Sequence, residues 1–191
     1  MTNKEKMLSG ALYTVDDELR RELLRARQIT RQYNATTEED SDIRKRLLAE
    51  LFGGMGENIY IEPPFRCDYG SNIIIGENFY ANYDCIILDV NKVTIGCNVM
   101  FGPRVCVYTA GHPIDAAMRR SLLEFGKPVT IGDDVWIGGS VVINPGVTIG
   151  SNVVIGSGSV VTKDIPGSVI AVGNPCRVLR AITDDDKLHL E

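Results

Sequence analysis

The chain has 191 residues, enough for one modest domain or for one domain with a small cap. Its 25 acidic residues outnumber its 20 lysines and arginines, which gives a formal charge of −5 and argues against a nucleic-acid-binding surface. The sequence contains neither an apolar run that could span a bilayer nor a signal-peptide core, so we expect a cytoplasmic protein that does not bind membranes. Its five cysteines form no CxxC pair, which favours reduced, structural thiols.

Residues 1–57 have the sequence of a small helical cap. Asn3–Ser9 predicts a short helix that ends at Gly10, because glycine is common at helix C-termini. Thr14, followed three residues later by Asp17, resembles a capping box at the start of a longer helix. The apolar stripe predicted for that helix consists of Leu19, Leu23 and Ala26.

A second cap pattern, Thr37 with Asp40, precedes another amphipathic helix, which is closed by Gly53-Gly54. Its apolar positions are Ile43, Leu47, Leu48, Leu51 and Phe52. A hairpin of two such helices is too small to bury its own apolar faces. We therefore expect the cap to lie on the rest of the chain or on a neighbouring subunit.

Between Asn58 and Tyr108 a six-residue rhythm is present but irregular. Ile75-Gly76 and Ile95-Gly96 are clear units, yet the two isoleucines are 20 residues apart, which is not a multiple of six. About two residues must therefore be extruded near Asp89–Lys92, because insertions in repeat proteins are looped out. Such irregularities commonly mark the functional face.

The rhythm stops after Val107 and resumes in phase at Val129, with the loop 108–128 between them. A long loop on a rigid repeat scaffold commonly displays functional residues. This loop holds His112 between a glycine and a proline, and the proline restricts the backbone of the histidine. A lone histidine is often incidental, but its place in this loop favours a functional role.

From Val129 to Ile170 the six-residue repeat is regular. The repeated inward position is occupied by Ile131, Ile137, Ile143, Ile149, Ile155 and Val161. A period of six matches a chain that makes a short strand, turns and repeats, so that three strands close one coil. Each inward residue should then stack on its counterpart 18 residues later, about 4.8 Å away. Glycines follow four of these positions, and we attribute them to corners with unusual backbone angles. The pattern predicts an all-β core, a parallel β-helix.

Four further segments complete a resemblance to a known family: TAGHP, FYANYDC, WIGGSVVINPGVTIG and VTKDIPGSVIAVGNPCRVLR. Together with the repeat and the helical cap they resemble the maltose and galactoside O-acetyltransferases, a branch of the hexapeptide-repeat acyltransferases. The resemblance extends over nearly the whole chain. It implies a left-handed parallel β-helix, an exception to the usual right-handed crossover. It also implies a homotrimer that binds acetyl-CoA between adjacent subunits.

The resemblance divides the chain into three parts. Residues 1–57 would form a helical cap on the acceptor side, and residues 58–180 the β-helix with its extruded loop at 108–128. Residues 181–191 would form a tail, which contains the second histidine, His189, in a solvated and idle position.

The chemistry expected of this family needs a base, because a sugar hydroxyl is a weak nucleophile. An unperturbed imidazole has a pKa of about 6.5, which suits this task, and we assign His112 as the general base for direct transfer of the acetyl group. By resemblance, the backbone N–H of Gly139 stabilises the oxyanion and Asn82 holds the acceptor hydroxyl. Asn82 could instead be an asparagine tolerated at a left-handed corner. Glu124 shares the loop with His112, where it either orients the imidazole or is a solvated carboxylate.

The acceptor site implied by the resemblance has four members besides the catalytic histidine: Asp16, Asp68, Asp89 and Tyr83, with Asn82 shared. Asp17 remains open as an alternative to Asp16. Asp68 stands where the galactoside enzymes have a serine, Leu23 where they have an arginine, and Val90 where they have a second acid after Asp89. These departures argue against galactoside specificity, and the segment FRCDYG and the loop around His112 look more like the maltose-type branch.

Coenzyme A carries several phosphates, so it requires local cations and free donors. The predicted contacts are Trp136, Gly139, Ser157, Thr162, Lys163, Arg177 and Arg180. Each cation alone could be a solvated surface charge. Trp136, the only tryptophan, should lie outside the coil, against the coenzyme or a neighbouring subunit.

Three other interpretations compete with this one. A γ-type carbonic anhydrase shares this architecture, but its zinc takes three histidines and this chain has two, so we expect no metal site. An acetyltransferase for an antibiotic, serine or an amino sugar is a competitor of the same class. A β-helix that serves only as a binding scaffold would have no need for His112 in its restricted loop.

Overall fold

The computed structural model describes residues 1–187. His189 and the end of the predicted tail lie outside the described residues. Three helices precede the strands: α1 (Asn3–Ser9), α2 (Asp17–Asn34) and α3 (Ser41–Leu51). A fourth, α4 (Ala116–Arg120), lies within the long loop, and a 3₁₀ helix spans Asp184–Asp186.

The helix ends confirm one sequence prediction and correct two. α1 ends at Gly10, whose φ of 81° lies in the left-handed region that glycine favours. α2 is capped by Asp16, not by Thr14, because the Asp16 carboxylate accepts the Leu19 N–H at 3.0 Å. The predicted capping box before α3 is also wrong. The Asp40 carboxylate accepts the N–H and the hydroxyl of Thr37, closing a turn that precedes the helix.

The strands are short, and most contain two or three residues. In chain order they are β1 (Gly54–Met55), β2 (Tyr60–Ile61), β3 (Arg66–Cys67), β4 (Ile73–Ile75), β5 (Tyr80–Ala81), β6 (Ile86–Leu88), β7 (Val93–Ile95), β8 (Met100–Phe101), β9 (Cys106–Tyr108), β10 (Ala110–Gly111), β11 (Phe125–Gly126), β12 (Val129–Ile131), β13 (Val135–Ile137), β14 (Val142–Ile143), β15 (Thr148–Ile149), β16 (Val153–Ile155), β17 (Val160–Val161), β18 (Val169–Val172) and β19 (Arg177–Ala181).

These strands form three faces of a triangular coil, which confirms the predicted β-helix with an N-terminal helical cap. Face 1 contains β1, β4, β7, β12 and β15; face 2 contains β2, β5, β8, β13, β16 and β18; face 3 contains β3, β6, β9, β14 and β17. Neighbouring strands within each face are parallel, and β19 adds an antiparallel strand at the end of face 2. Three corners join the faces, and we call them the 1–2, 2–3 and 3–1 corners.

The core is the stacked interior of this coil. Ile131 pairs with Ile149, and Ile137 with Ile155, and these side chains are fully buried, as the six-residue period predicts. The apolar sides of α2 and α3 belong to the same core through residues such as Leu48. The cap therefore lies on the first coils of the β-helix, one of the two predicted locations.

The glycines of the repeat have a different cause from the one expected. Gly132 and Gly138 do not have left-handed φ angles. A Cβ on Gly132 would lie 2.7 Å from the Ser151 nitrogen, and one on Gly138 2.6 Å from the Ser157 nitrogen, so close stacking of coils requires glycine. The left-handed corner positions are filled mainly by short polar residues, among them Asn58, Asn78, Asn98, Asp134 and Asn152.

Extra residues accumulate at one corner. On face 1, Ile74 pairs with Thr94 in the next coil, whereas Thr130 pairs with Thr148, so the early coil is two residues longer. The predicted extrusion near Asp89–Lys92 is confirmed. A second one, at residues 68–72 in the coil before, was not predicted. Both lie at the 3–1 corner, where the loop 108–128 also leaves, so three successive coils project residues to the same place.

Candidate active site

At the base of the long loop, the outgoing and returning chain form a two-stranded antiparallel ribbon. Ala110 in β10 pairs with Gly126 in β11, and Gly111 pairs with Phe125. A Cβ on Gly111 would lie 2.6 Å from the Phe125 ring, so the ring packs over the ribbon in the space that a side chain at this position would occupy. The ribbon thereby places His112, the next residue along, beside the chain that returns through residues 123 and 124.

The imidazole of His112 is exposed and is oriented by a backbone carbonyl. Its Nδ1 lies 3.1 Å from the oxygen of Leu123. Because a carbonyl oxygen can only accept, this contact assigns the proton to Nδ1 and leaves the Nε2 lone pair free. The ring is therefore held in the tautomer that a general base needs.

Glu124 is not the group that orients the ring. Its carboxylate accepts a hydrogen bond from the Tyr13 hydroxyl at 2.7 Å, and the backbones of the two residues exchange N–H···O bonds of 3.0 Å each. Burial, followed by this hydrogen bond, raises the pKa of Tyr13. Tyr13 thus joins the helical cap to the loop, and the expectation that Glu124 orients His112 is corrected: Leu123 does so.

A buried asparagine links the helical cap to the long loop. The Nδ2 group of Asn91 lies 3.2 Å from the carbonyl oxygens of Met7 and Leu8 and 3.0 Å from that of Gly126. It therefore ties the end of α1 to β11. An amide with its donors engaged in this way holds the cap, the coil and the loop in one arrangement.

Beside His112 lies a pocket of about 220 Å³ that is open to solvent. Its lining comes from α2, from the segment just before it, and from all three insertions at the 3–1 corner: Val15, Leu23, Arg27, Asp68, Tyr69, Val90, Ala110, His112 and Glu124. Two carboxylates, a cation and an imidazole thus surround a partly apolar cavity. Such a set suits a small ligand that carries several hydroxyl groups.

The charged groups in this pocket have opposite effects on the pKa of Asp68. Burial raises the pKa of Asp68, the nearby Glu124 raises it further, and Arg27 lowers it. Burial, and then the charge of Asp68, raises the pKa of Tyr69. A hydroxyl group entering the pocket would therefore find both carboxylate acceptors and a guanidinium donor.

Asp89 does not line this pocket, and its predicted contact with the acceptor is corrected. The side chain is fully buried. Its Oδ1 accepts the N–H groups of Asp68 at 3.0 Å and Tyr69 at 2.8 Å, and its Oδ2 that of Asn72 at 3.3 Å. Burial raises its pKa to about 7, although the N–H groups oppose the shift. Asp89 therefore shapes the insertion that presents Asp68, and the adjacent Val90 lines the pocket.

Asp16 also has its oxygens engaged. Besides capping α2, its carboxylate accepts the side-chain amide of Asn3 at 3.1 Å. The hydrogen bond from Leu19 holds the pKa of Asp16 below its usual value. Asp17 is exposed in the first turn of α2. Contact between Asp16 and an acceptor remains a prediction.

The predicted residues Asn82, Tyr83, Gly139 and Ser157 lie at the 2–3 corner, away from His112. The Asn82 Oδ1 accepts the Tyr83 N–H at 2.7 Å, which leaves its amide N–H groups available. The left-handed residue here is Asp84, with φ of 61°, so the alternative explanation for Asn82 is wrong. Within residues 1–187, the N–H of Gly139 has no hydrogen-bond acceptor, while its carbonyl accepts the Gly158 N–H at 2.9 Å.

The other residues predicted to contact coenzyme A lie on different parts of the β-helix. Thr162 and Lys163 are exposed at the 3–1 corner after β17. Arg177 and Arg180 are exposed on β19, where Arg180 forms a salt bridge with Asp186. Trp136 is 52% exposed on the outside of face 2, which confirms its predicted outward position.

The predicted site residues therefore divide between two corners of one chain. His112, Asp68 and Glu124 occupy the 3–1 corner, whereas Asn82 and Gly139 occupy the 2–3 corner, with the width of face 3 between them. These two sets cannot meet around one substrate within a single chain. They can meet only when the 3–1 corner of one copy lies against the 2–3 corner of another.

Several residues of the site were not predicted from the sequence: Tyr13, Arg27, Tyr69, Asn91 and Leu123. Arg27 follows Leu23 by four residues on α2, so helical spacing could have identified it. The others have no sequence signal. In residues 1–187 there is no group of three His, Cys, Asp or Glu side chains placed to hold a metal. No helix of this part of the chain is long and apolar enough to cross a membrane.

Two family models match the chain. The maltose acetyltransferase hexapeptide capping motif matches residues 6–56, and the bacterial transferase hexapeptide model, with six repeats, matches residues 128–163. The galactoside O-acetyltransferase of Escherichia coli K12 is 46% identical over 188 residues, which cover 98% of this chain and 93% of that protein. This chain belongs to the maltose and galactoside O-acetyltransferase family. It is an acetyltransferase of that type, as the sequence motifs predicted.

Solved structures of the family superimpose closely on this acetyltransferase. A maltose O-acetyltransferase from Clostridium difficile 630 has a TM-score of 0.95 and 57% identity, covering 96% of this chain and 99% of that one. A galactoside acetyltransferase in complex with coenzyme A has a TM-score of 0.96 and 46% identity, and the match covers 99% of this chain and 95% of that one. Nearly every residue of the site thus has a structural counterpart in these relatives.

Proposed function

We propose that this protein transfers the acetyl group of acetyl-CoA directly to a hydroxyl of a small maltose- or glucose-type sugar, with His112 as the general base. The observation that supports this most is the Leu123 contact, which leaves Nε2 of an exposed imidazole free to accept a proton beside a polar pocket. The use of acetyl-CoA is supported by the relative solved with coenzyme A.

In this proposal the acceptor sugar occupies the pocket beside His112. Asp68 and Glu124 accept hydrogen bonds from its hydroxyls, while Arg27 donates. Val90 and Leu23 supply an apolar side for the sugar ring. The residue departures from the galactoside pattern at positions 23, 68 and 90 all fall in this pocket, which is why we favour a maltose-type acceptor.

The proposed transfer is a single displacement. Nε2 of His112 removes the hydroxyl proton as the sugar oxygen attacks the thioester carbonyl carbon. The Gly139 N–H donates to the oxyanion that forms on that carbonyl, and the Asn82 amide holds the reacting oxygen. When the carbon–sulfur bond breaks, the imidazolium returns its proton to the coenzyme thiolate. No covalent acyl-enzyme is needed.

The same proposal requires a homotrimer with its sites between subunits. His112 and the pocket would come from one protomer, and Asn82, Tyr83 and Gly139 from its neighbour. A heterologous contact between two different corners can close into a ring, and we propose a ring of three copies. The coenzyme would lie along the same seam, near Trp136 and Ser157 of one protomer and Thr162 and Lys163 of the other, with Arg177 and Arg180 placed to contact its phosphates.

The test measures acetyl-CoA turnover with a panel of acceptors: glucose, maltose, a galactoside, serine and an amino sugar. We expect turnover with glucose or maltose, and a loss of roughly 10²–10⁴ in rate for His112→Ala, because a general base of this kind contributes that much. His189→Ala is the matched control. Preferred turnover of serine or the amino sugar would refute the sugar assignment, and an unchanged rate for His112→Ala would refute the base.

A further inference from the structure

The 1–2 corner carries a second cavity, apart from the two corners that hold the catalytic residues. It has a volume of about 250 Å³ and lies between α3 and the first coil. We call its apolar lining residues the floor: Leu48, Met55, Ile59 and Ile61. Its polar lining residues include Ser41, Asp42, Arg44, Lys45, Asn58 and Tyr60. Because the proposed subunit contact uses the other two corners, this cavity would remain open in a trimer.

The distinctive group in this cavity is a buried arginine. The Arg44 side chain is only 6% exposed, and it forms no salt bridge with any residue in the range 1–187. Taking a guanidinium out of water is costly unless a negative charge accompanies it. Neighbouring Lys45 is paired with Glu57 at 3.2 Å, so Glu57 is already engaged.

Arg44 also retains hydrogen-bonding capacity. Its Nε donates to the Thr36 hydroxyl at 2.8 Å, while its two terminal nitrogens make long contacts of 3.3 Å to the Tyr60 hydroxyl and 3.4 Å to the Thr36 carbonyl. All three partners are neutral. A guanidinium has five N–H groups, so two remain without an acceptor among the described residues.

Two acidic residues lie near Arg44 without neutralising it. Asp40 is close enough for Arg44 to contribute to its lowered pKa, but its hydrogen bonds from Thr37 are the larger cause. Asp42 lines the cavity and is exposed to solvent. The cavity therefore combines a buried positive charge with a negative charge at its rim, which disfavours highly charged ligands.

We propose that this cavity binds a small organic monocarboxylate, with its carboxylate on Arg44 and its hydrocarbon part on the apolar floor. A carboxylate presents two oxygens in a plane, which match the paired N–H groups of a guanidinium. The four aliphatic side chains of the floor suit an apolar body rather than a bare inorganic ion. The single negative charge satisfies Arg44 without strong repulsion from Asp42.

Benzoate is the probe, with benzyl alcohol as its neutral counterpart and inorganic phosphate as a bare anion. Calorimetric titration of the intact protein should show saturable binding of benzoate, and at least tenfold weaker binding of the other two. Equal binding of benzyl alcohol would refute the role of charge. Competition by phosphate at the same concentration would refute the choice of a monocarboxylate, as would absence of saturable benzoate binding.

Two variants locate the site while leaving Arg44 in place. Ile59→Trp fills the cavity and should abolish benzoate binding. Asp42→Asn removes the rim charge and should tighten binding by about twofold to fivefold. Glu18→Gln, an exposed acid on α2, is the matched control and should change nothing. Benzoate binding that persists in Ile59→Trp, or that is unaffected by Asp42→Asn, would overturn the proposal, whatever the outcome of the acetyl-transfer assays.

Discussion

The Nδ1 atom of His112 lies 3.1 Å from the carbonyl oxygen of Leu123, eleven residues further along the same loop. The contact depends on the β10–β11 ribbon, which brings the outgoing and returning chain together. It determines which ring nitrogen carries the proton and hence which can act as a base. The loop therefore does more than display the histidine, because it also sets its tautomer.

The first prediction concerns this tautomer. Because a carbonyl only accepts, neutral His112 should carry its proton on Nδ1. Nitrogen NMR of protein labelled in its histidine rings should show this form above pH 8, with the resonances assigned by comparison with His112→Ala. Dominance of the form protonated on Nε2 would contradict the orientation of the ring by Leu123.

Gly111→Ala tests the ribbon itself. The added methyl group would lie 2.6 Å from the Phe125 ring, so either that ring or the ribbon that carries His112 must shift. We expect a loss of about 1–3 kcal/mol in the free energy of unfolding, as for other overpacked sites, and a larger proportional loss of acetyl transfer. Gly54→Ala is the control, because its Cβ would make an ordinary contact at 3.7 Å. Equal effects of the two variants in urea unfolding would refute the steric requirement for glycine in the ribbon.

Asp89 should make stability depend on pH. In the unfolded chain this carboxyl ionises near 3.8, whereas in the folded protein burial raises its pKa to about 7. Between these values the folded state keeps a proton that the unfolded state has lost, so the free energy of unfolding should fall as pH rises from 4 to 7. Asp89→Asn cannot ionise and retains an oxygen for the Asp68 and Tyr69 N–H groups.

The measurement for Asp89 is urea unfolding at pH 4.5 and pH 7.5 for both proteins. The wild type should lose more stability than Asp89→Asn across this interval, by on the order of 1 kcal/mol or more. If the two proteins lose the same free energy of unfolding between pH 4.5 and pH 7.5, Asp89 does not titrate in this range.

Mixed oligomers test whether two protomers share each site. His112→Ala and Asn82→Ala should each be nearly inactive alone. Co-expressed with different tags and purified as mixed oligomers, they should recover up to about a third of wild-type activity, since each mixed trimer has one seam in three where an intact His112 lies beside an intact Asn82. No recovery in verified mixed oligomers would mean that both residues act within one protomer or that Asn82 is not needed.

The repeat, the loop and the helical cap could all be predicted from the sequence. Ile131 and Ile149 mark a period that recurs along the chain, and a repeated local pattern specifies a repeated local structure. The reason for the glycines could not be predicted in this way. Gly138 is required by contact with Ser157 in the next coil, and such a contact is visible only once the coils are stacked.

The positions of the acidic side chains also could not be predicted from the sequence. Asp89 and Asp68 are both acidic residues beside insertions, yet Asp89 is buried on backbone N–H groups while Asp68 lines the pocket. Glu124 pairs with Tyr13, which is 111 residues away in sequence. Residue type and spacing do not distinguish these outcomes, because they depend on which way each insertion turns.

By itself, the sequence determined the β-helix, the family, the extruded loop and the histidine within it, since each is encoded in a pattern of neighbouring residues. The tertiary structure decided which corner each site residue occupies, what orients His112 and which acids face the pocket. Asn91 illustrates the reason: it binds the carbonyl of Met7 across 84 residues of sequence. Contacts of that kind follow from the path of the whole chain, which no local pattern contains.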